Sequence, residues 1–477
     1  MLCVVLSLED LRMFTDLLNT IDGYVWGLPL IALLLGTGIW LTIRLRLLQV
    51  WKLPKALALI FTARNGGGGD VNSFKALCTA LAATVGTGNI VGVATAVKLG
   101  GPGALFWMWI AAFFGMASKY AECLLAVRYR TTDANGEISG GPMHYIEQGL
   151  GHKFKPLAVM FAAFGVGTAC LGSGTFTQVN AISEITNLTF GIDPLYTSLF
   201  LAVLTAVIIW GGLHSIANVS SKIVPLMAVI YIAITAGVLF AFREQLPAAI
   251  LLVLHDAFNP TAAAGGFAGA TVAVAMRSGI ARGIFSNEAG LGSAPIVAAA
   301  AKTKWAAEQG LVSMTGTFID TIIICTMTGL CLVVTGVYTG DANGAAMTAQ
   351  ALGAVFPNSA RYLLFVGLSL FAFSPILGWN YYGERCVEYL AGTKAIKPYR
   401  IVFVAIIASA SFLKLESIWA LADISNGLMA FPNLLALLML TPVVVQETKA
   451  YFAHLEAVED RRKRLETARA ESLSTVD

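Results

Sequence analysis

Uncharged apolar runs of about 20 residues recur along the whole chain, and each is long enough to carry a helix across roughly 30 Å of hydrocarbon. Lipid offers no hydrogen-bond partners to a backbone, so a chain with many such runs satisfies its N–H and C=O groups there as a helix bundle. The fold class expected is therefore an all-α polytopic membrane protein. Composition agrees: of 477 residues, 57% are hydrophobic and 12% charged, against about 45–50% and about 25% in ordinary globular chains. Too few polar residues remain to clothe soluble domains.

About eleven spans are expected. They are Tyr24–Ile43, Ala76–Val97, Gly103–Val127, Pro156–Ser183, Leu195–Leu213 and Ile223–Phe242. A glycine-rich seventh starts near Gly265 and breaks up around Arg277–Asn287. The last four centre on Asp320–Thr335, Tyr362–Gly383, Ile401–Leu413 and Ile424–Gln446. Basic residues in short loops stay cytoplasmic, and alternate loops, counted with the C-terminal tail, hold about 25 of them against about 5 on the other side. This asymmetry puts the N-terminus outside and the C-terminus inside.

Setting the first span aside leaves two sets of five, and an odd number per set makes the halves inverted. The expected organisation is a short lead-in over 1–23, an extra helix over 24–48, a cytoplasmic loop over 49–75 and a first five-helix repeat over 76–242. An external loop over 243–264, a second, inverted repeat over 265–446 and a charged cytoplasmic tail over 447–477 follow. Gly66–Gly69 reads as a flexible linker, and Glu456–Arg469 as a solvated helix near anionic lipid.

Several functions are excluded early. Thirty-one basic against 28 acidic residues, a net charge of +3, give no basic face for nucleic acid. The seven cysteines are scattered without a C-x-x-C pair, so no disulfide framework or zinc site is suggested. There is no H-E-x-x-H, and the absence of any Gly-Lys dipeptide removes a Walker-type loop. No organic cofactor is expected, and no nucleophile with a histidine or carboxylate partner suggests an enzyme.

Each half opens with a span crowded with small residues: Thr84-Val85-Gly86-Thr87-Gly88-Asn89 in the first, and Gly265-Gly266 through Ser286-Asn287 in the second. Broken helices at matching positions of inverted repeats point to a transport site near the bilayer midplane. An unwound stretch in lipid persists only where something satisfies its backbone. Freed carbonyls suit a hard cation, and freed N–H groups at a half-helix start suit a carboxylate, so an amino acid with an accompanying cation fits. Packing of small residues between helices is the competing explanation for the first of these spans.

Other polar residues at membrane depth extend the site. Gln178 offers both donors and an acceptor, either to a zwitterion or to a neighbouring helix, and Phe176 lies two residues before it. Asp320, a charge deep in a span, is either functional by default or a partner of Arg277 or Arg282. Glu288, close to those arginines, reads as one member of a structural or gating ion pair ahead of direct substrate contact. Pro375 either frees a backbone carbonyl that, with Ser374, suits a sodium shell, or marks an ordinary proline kink. Trp379 either caps a small cavity or belongs to an interfacial belt.

At these residues a resemblance emerges. Gly100-Gly101-Pro102-Gly103-Ala104-Leu105-Phe106-Trp107-Met108-Trp109-Ile110-Ala111-Ala112-Phe113-Phe114-Gly115 resembles the hallmark segment of the sodium:alanine (alanine or glycine:cation) symporter family. Cys78–Ala83 with Val85–Asn89, Gly140-Gly141-Pro142, Phe285–Ser293 and Phe318–Thr321 are similar to that family too, and the blocks together cover about residues 24 to 446. The resemblance implies an inner-membrane transporter with a leucine-transporter-like five-plus-five inverted repeat and one extra N-terminal helix, moving alanine or glycine with sodium. It implies substrate contacts at Thr84, Gly86, Thr87, Gly88, Asn89, Phe176, Gln178, Ser286, Asn287 and Trp379. Sodium would sit among Ala83, Thr84, Thr87 and Ser374, and Arg277, Arg282, Glu288 and Asp320 would serve gating or ion pairing. The expected partners are a small neutral amino acid, sodium and the lipid bilayer. A proton-coupled relative of the same fold and a passive channel are the alternatives.

Overall fold

The computed structural model describes residues 8–62, 66–172, 174–259, 272–412 and 416–474. The expected glycine-rich start of the seventh span, Gly265-Gly266, lies outside the described residues. The chain opens with α1 (Leu8–Val25), α2 (Leu28–Arg44), α3 (Leu48–Trp51), α4 (Leu53–Thr62) and α5 (Ser73–Thr84). Next come α6 (Val93–Gly100), α7 (Gly103–Arg128), a hairpin of β1 (Thr131–Thr132) and β2 (Ile138–Ser139), and α8 (Pro142–Leu150). Then follow α9 (Lys155–Leu171), α10 (Phe176–Phe190), α11 (Pro194–Ile209), α12 (Gly212–Ala241) and α13 (Leu246–Asp256). The second half holds α14 (Val272–Asn287), α15 (Ala294–Ala298), α16 (Ala306–Thr317), α17 (Thr326–Thr335) and α18 (Gly344–Gly353). It closes with α19 (Ala360–Ala391), α20 (Ile396–Ser409), α21 (Glu416–Met439) and α22 (Thr441–Ser474).

Among the described residues seven helical stretches are long and apolar enough to cross a membrane, eight when α5 and the Gly88–Gly100 helix, bent by 53°, count as one span. The other three expected spans correspond to α11, α14 and α20, which have 16, 16 and 14 described residues. Two expected spans divide. The run Pro156–Ser183 is interrupted between α9 and α10, and the run Ile424–Gln446 between α21 and α22.

Small residues let the helices approach closely. A Cβ on Gly279 of α14 would stand 2.2 Å from the Ala104 carbonyl of α7, and one on Gly310 of α16 would stand 2.9 Å from the Tyr120 carbonyl of the same helix. The glycine run after α4 is likewise a packing device and not a free linker. Gly67 and Gly69 hold φ of +131° and +150°, and a Cβ on either would meet the Thr303 or Ala301 carbonyl at 2.4–2.5 Å. Val71 then bridges to Ala301 in parallel, so this segment is held as a strap beside the α15–α16 connection. The exposed end of α22 carries spaced ion pairs, Arg462–Glu466 and Lys463–Glu459, as a solvated helix does.

Candidate functional site

Two interruptions meet in the bundle. The first follows Thr84: Val85 turns extended (φ −74°, ψ 98°), and the chain re-enters helix through a π turn over Gly88–Gly92. A Cβ on Gly86 would come 2.8 Å from Pro375 Cγ, and one on Gly88 would come 3.3 Å from Ser286 Cα. These glycines thus let the break touch α19 and α14 directly.

The second interruption departs from expectation. Arg277–Asn287 does not break up; α14 is continuous to Asn287, and the unwound stretch is Glu288–Ser293. The reason lies in the backbone conformations the turn requires: Gly290 and Gly292 have φ of +83° and +84°, and Glu288 has φ of +53°. A glutamate in that left-handed region costs roughly 1–2 kcal/mol. Such strain persists only where the surroundings over-determine it.

Asp320 ties the breaks together. It sits within a π-helical stretch, Phe318–Cys325, and is buried. Its Oδ1 accepts from Asn89 Nδ2 at 2.7 Å, and its Oδ2 accepts from Ser286 at 3.0 Å and Thr321 at 2.8 Å. Asn89 Oδ1 in turn accepts the Gly86 N–H at 2.8 Å, and Asn287 donates to Thr321 at 3.0 Å. A carboxylate can accept about four hydrogen bonds, so one side chain organises both breaks. It forms no ion pair with Arg277 or Arg282, which corrects that alternative: the arginines lie on α14, while Asp320 is enclosed by amide and hydroxyl donors.

Glu288 does not pair with those arginines either. The helix ends at Asn287 and the reversed backbone carries the carboxylate to α19, where Oε1 accepts from Trp379 Nε1 at 3.0 Å and Oε2 from Ser293 at 2.5 Å. Trp379 is thus buried in the protein interior and belongs to no interfacial belt. Lys119 donates to the Glu288 carbonyl at 3.0 Å and lies 3.6 Å from Glu122. Asn433 links Glu122 Oε2 to the Gly290 carbonyl at 3.0 and 2.9 Å, and its own Oδ1 accepts from Tyr145.

A cavity of about 530 Å³ reaches this centre from the α18 end, lined by Thr87, Gly88, Asn180, Glu184, Arg282, Phe285 and Asp423 among others. Behind it lies a space of about 10 Å³ bounded by Ala83, Thr84, Gly86, Thr87, Gly88, Gln178, Phe285, Glu288 and Pro375. Thr87, Gly88 and Phe285 line both. Gln178 Oε1 has no hydrogen-bond partner there. The Ser374 hydroxyl donates to the Val85 carbonyl at 3.3 Å, so a side-chain and a main-chain oxygen converge where α19 crosses the first break. Phe176 packs in the core, and Arg277 lines neither cavity. Asn89, Ser286, Asn287 and Trp379 stand behind the lining and position it.

The opposite end is closed by groups that sequence reading missed. Arg385, 1% exposed, binds Asp133 and Glu388 at 3.0 Å each, Glu137 of the same hairpin, and Glu384 at 3.6 Å. Arg400 grips Glu384 through two bonds of 2.7 and 2.9 Å. Arg130 donates to the carbonyls of Ala299 and Ala301 at 3.0 and 2.8 Å. The available signal was the Glu384-Arg385 pair adjoining an apolar run, but its hairpin partners, Asp133 and Glu137, lie some 250 residues away.

Beside this cluster burial pushes the His144 imidazole down to about 4, with Ser139 at 3.0 Å. An unfolded histidine titrates near 6.5, so between about pH 4 and 6.5 the unfolded chain binds more protons and stability falls as pH is lowered. The melting temperature of the solubilised protein is expected to drop from pH 7.5 to pH 5, and a His144→Gln variant to flatten that drop. An equally steep decline in the variant would assign the effect elsewhere.

A multi-pass helical membrane protein whose interrupted helices meet around a buried polar centre at the foot of a cavity belongs to the class of transporters. The sodium:alanine symporter family model matches residues 11–465, and the chain belongs to that family. A sodium/alanine symporter of Methanococcus maripaludis, AgcS, is 50% identical over 92% of this chain and 97% of its own length. An uncharacterized transporter of Haemophilus influenzae is 54% identical over the same shares, and a probable sodium/glutamine symporter of Bacillus subtilis, GlnT, is 38% identical over 92% and 91%.

Proposed function

We propose that this chain is a secondary active transporter that carries small neutral amino acids, alanine or glycine, into the cell together with sodium by alternating access. The observation that carries this reading is the meeting of two helix breaks, tied by Asp320, at the foot of a cavity that reaches in from the α18 end. N–H groups of the first break would receive the substrate carboxylate, and Gln178 would hold the zwitterion. Sodium, as co-substrate, would take oxygens of Ala83, Thr84, Thr87 and Ser374. The convergence of the Ser374 hydroxyl and the Val85 carbonyl supports oxygen coordination at this crossing. The helices would form two inverted five-helix repeats in the cell's inner membrane. The basic loops, including the hairpin end, would face the cytoplasm, with the N-terminus outside.

The space behind Phe285 holds about one water molecule, less than an amino acid needs. Substrate entry therefore requires the breaks to part, and sodium and substrate favour each other by equal factors if coupled. The direct test is uptake of labelled alanine and glycine into proteoliposomes under an imposed sodium gradient, with a proton gradient as the control. Uptake driven by protons alone would favour the proton-coupled alternative, and gradient-independent flux a channel. Gln178→Ala is expected to weaken alanine binding by on the order of tenfold or more, read by direct binding. Unchanged affinity would remove Gln178 from the site.

A further inference from the structure

We propose that Glu288 is the counter-charge that receives the ammonium group of the substrate and so restricts the site to amino acids. This deepens the reading above and rests on it. Glu288 lines the same small space as Gly86, Gly88 and Gln178. Its carboxylate is 3% exposed at the residue level and takes one hydrogen bond on each oxygen, from Trp379 and from Ser293. About two further acceptor positions remain.

No Lys or Arg pairs with that carboxylate among the described residues. The adjacent cation, Lys119, contacts Glu122 and the Glu288 main-chain carbonyl. A buried carboxylate without a paired cation is costly, and Lys119 acts on this one only through space, with no ion pair to it. The other acidic group of the centre, Asp320, is enclosed by Asn89, Ser286 and Thr321. A second, independent feature points to a ligand: Gln178 is 5% exposed, and its Oε1 is an unpartnered acceptor in the same space. Two residues with acceptor oxygens, one of them charged, thus line the same small space as the first break. Freed N–H groups of that break suit a carboxylate. Donors and acceptors brought together around one space match the polarity of an α-amino acid. The left-handed backbone at Glu288, held by Lys119 at the carbonyl, fixes the carboxylate before the substrate arrives.

The consequence is specificity. A 2-hydroxy acid such as L-lactate shares alanine's carboxylate and methyl group but brings no positive charge, leaving the Glu288 carboxylate unpaired. Wild-type protein in detergent with saturating sodium is therefore expected to bind labelled alanine and to reject lactate. Glu288→Gln should lose on the order of 30-fold or more in alanine affinity and narrow the alanine-over-lactate ratio by a similar factor. Glu288→Asp, which keeps the charge, should keep rejecting lactate even if alanine binds more weakly. The sodium affinity measured without amino acid should be the same in all three proteins.

An unchanged alanine-to-lactate ratio in Glu288→Gln overturns the proposal. So does a parallel loss of both ligands with a lowered melting temperature, which marks a structural role, and so does a fall in sodium affinity without amino acid, which marks a metal site. Wild-type protein that binds and transports neither alanine nor glycine refutes the amino-acid reading itself. Alanine transport with an indifferent Glu288 refutes this inference alone.

Discussion

Replacing Asp320 with alanine is expected to reduce sodium-driven alanine uptake by at least 100-fold. The carboxylate accepts from Asn89, Ser286 and Thr321 in a buried site. Removing an acceptor leaves each buried donor unmet at about 1–3 kcal/mol. Two such losses suffice for a factor of about 100, since each 1.4 kcal/mol is tenfold. The two breaks would no longer be held in register, because Asn89 reaches the first through the Gly86 N–H and Ser286 is the next-to-last residue of α14. Asp320→Asn retains one carbonyl acceptor and should fall between the two. Uptake into proteoliposomes, normalised to protein that elutes as a single species, is the measurement. Near-wild-type uptake by the alanine variant would show that the breaks need no such tie.

The second large effect is expected at the closed end. Arg385→Ala leaves Asp133, Glu137 and Glu388 without the guanidinium that holds them, and breaking a buried pair from one side typically costs about 3–5 kcal/mol. The hairpin loses its anchor to α19, and its exposed tip, Ala134–Gly136, should become a site of protease cleavage. Arg385→Lys keeps the charge but not the planar fork, so partial rescue is expected. Melting temperature and limited proteolysis read the outcome together. A variant as stable and as resistant as wild type would mean that the cluster is not a clasp. Under alternating access, this cluster is also a barrier that must part for release at the hairpin end. Uptake should therefore respond to Arg385→Lys even where folding is preserved.

Much of the architecture was readable in advance because lipid imposes a simple rule on composition: a helix that crosses must be apolar over its length. The first break was equally legible, since Gly86 and Gly88 stand in an otherwise helical run. The second was misplaced by several residues. The small residues Gly279 and Gly283 within Arg277–Asn287 are packing residues on a continuous α14, and the reversal occurs at Glu288, Gly290 and Gly292. Composition marks a region of small residues, but which of them face a neighbouring helix and which adopt positive φ depends on what lies opposite. The interruption before Phe176 was missed for a related reason. Gly174 permits the approach of Trp379, whose Cβ would be 2.8 Å from a side chain there, and nothing local announces a contact 205 residues distant.

The amino acid order by itself determined that this chain lives in a membrane and that it is interrupted at residues 85–88. Its resemblance to the symporters was legible there as well. Those are properties of short stretches: apolar length, glycine content and contiguous motif. The partners of the charges were decided only by tertiary structure. Asp320 met an amide and hydroxyls, Glu288 met Trp379 and Ser293, and Arg385 met the hairpin between α7 and α8. A charge in a low-dielectric interior takes the partner that the fold brings within about 3 Å, and distance in space is not written in distance along the chain.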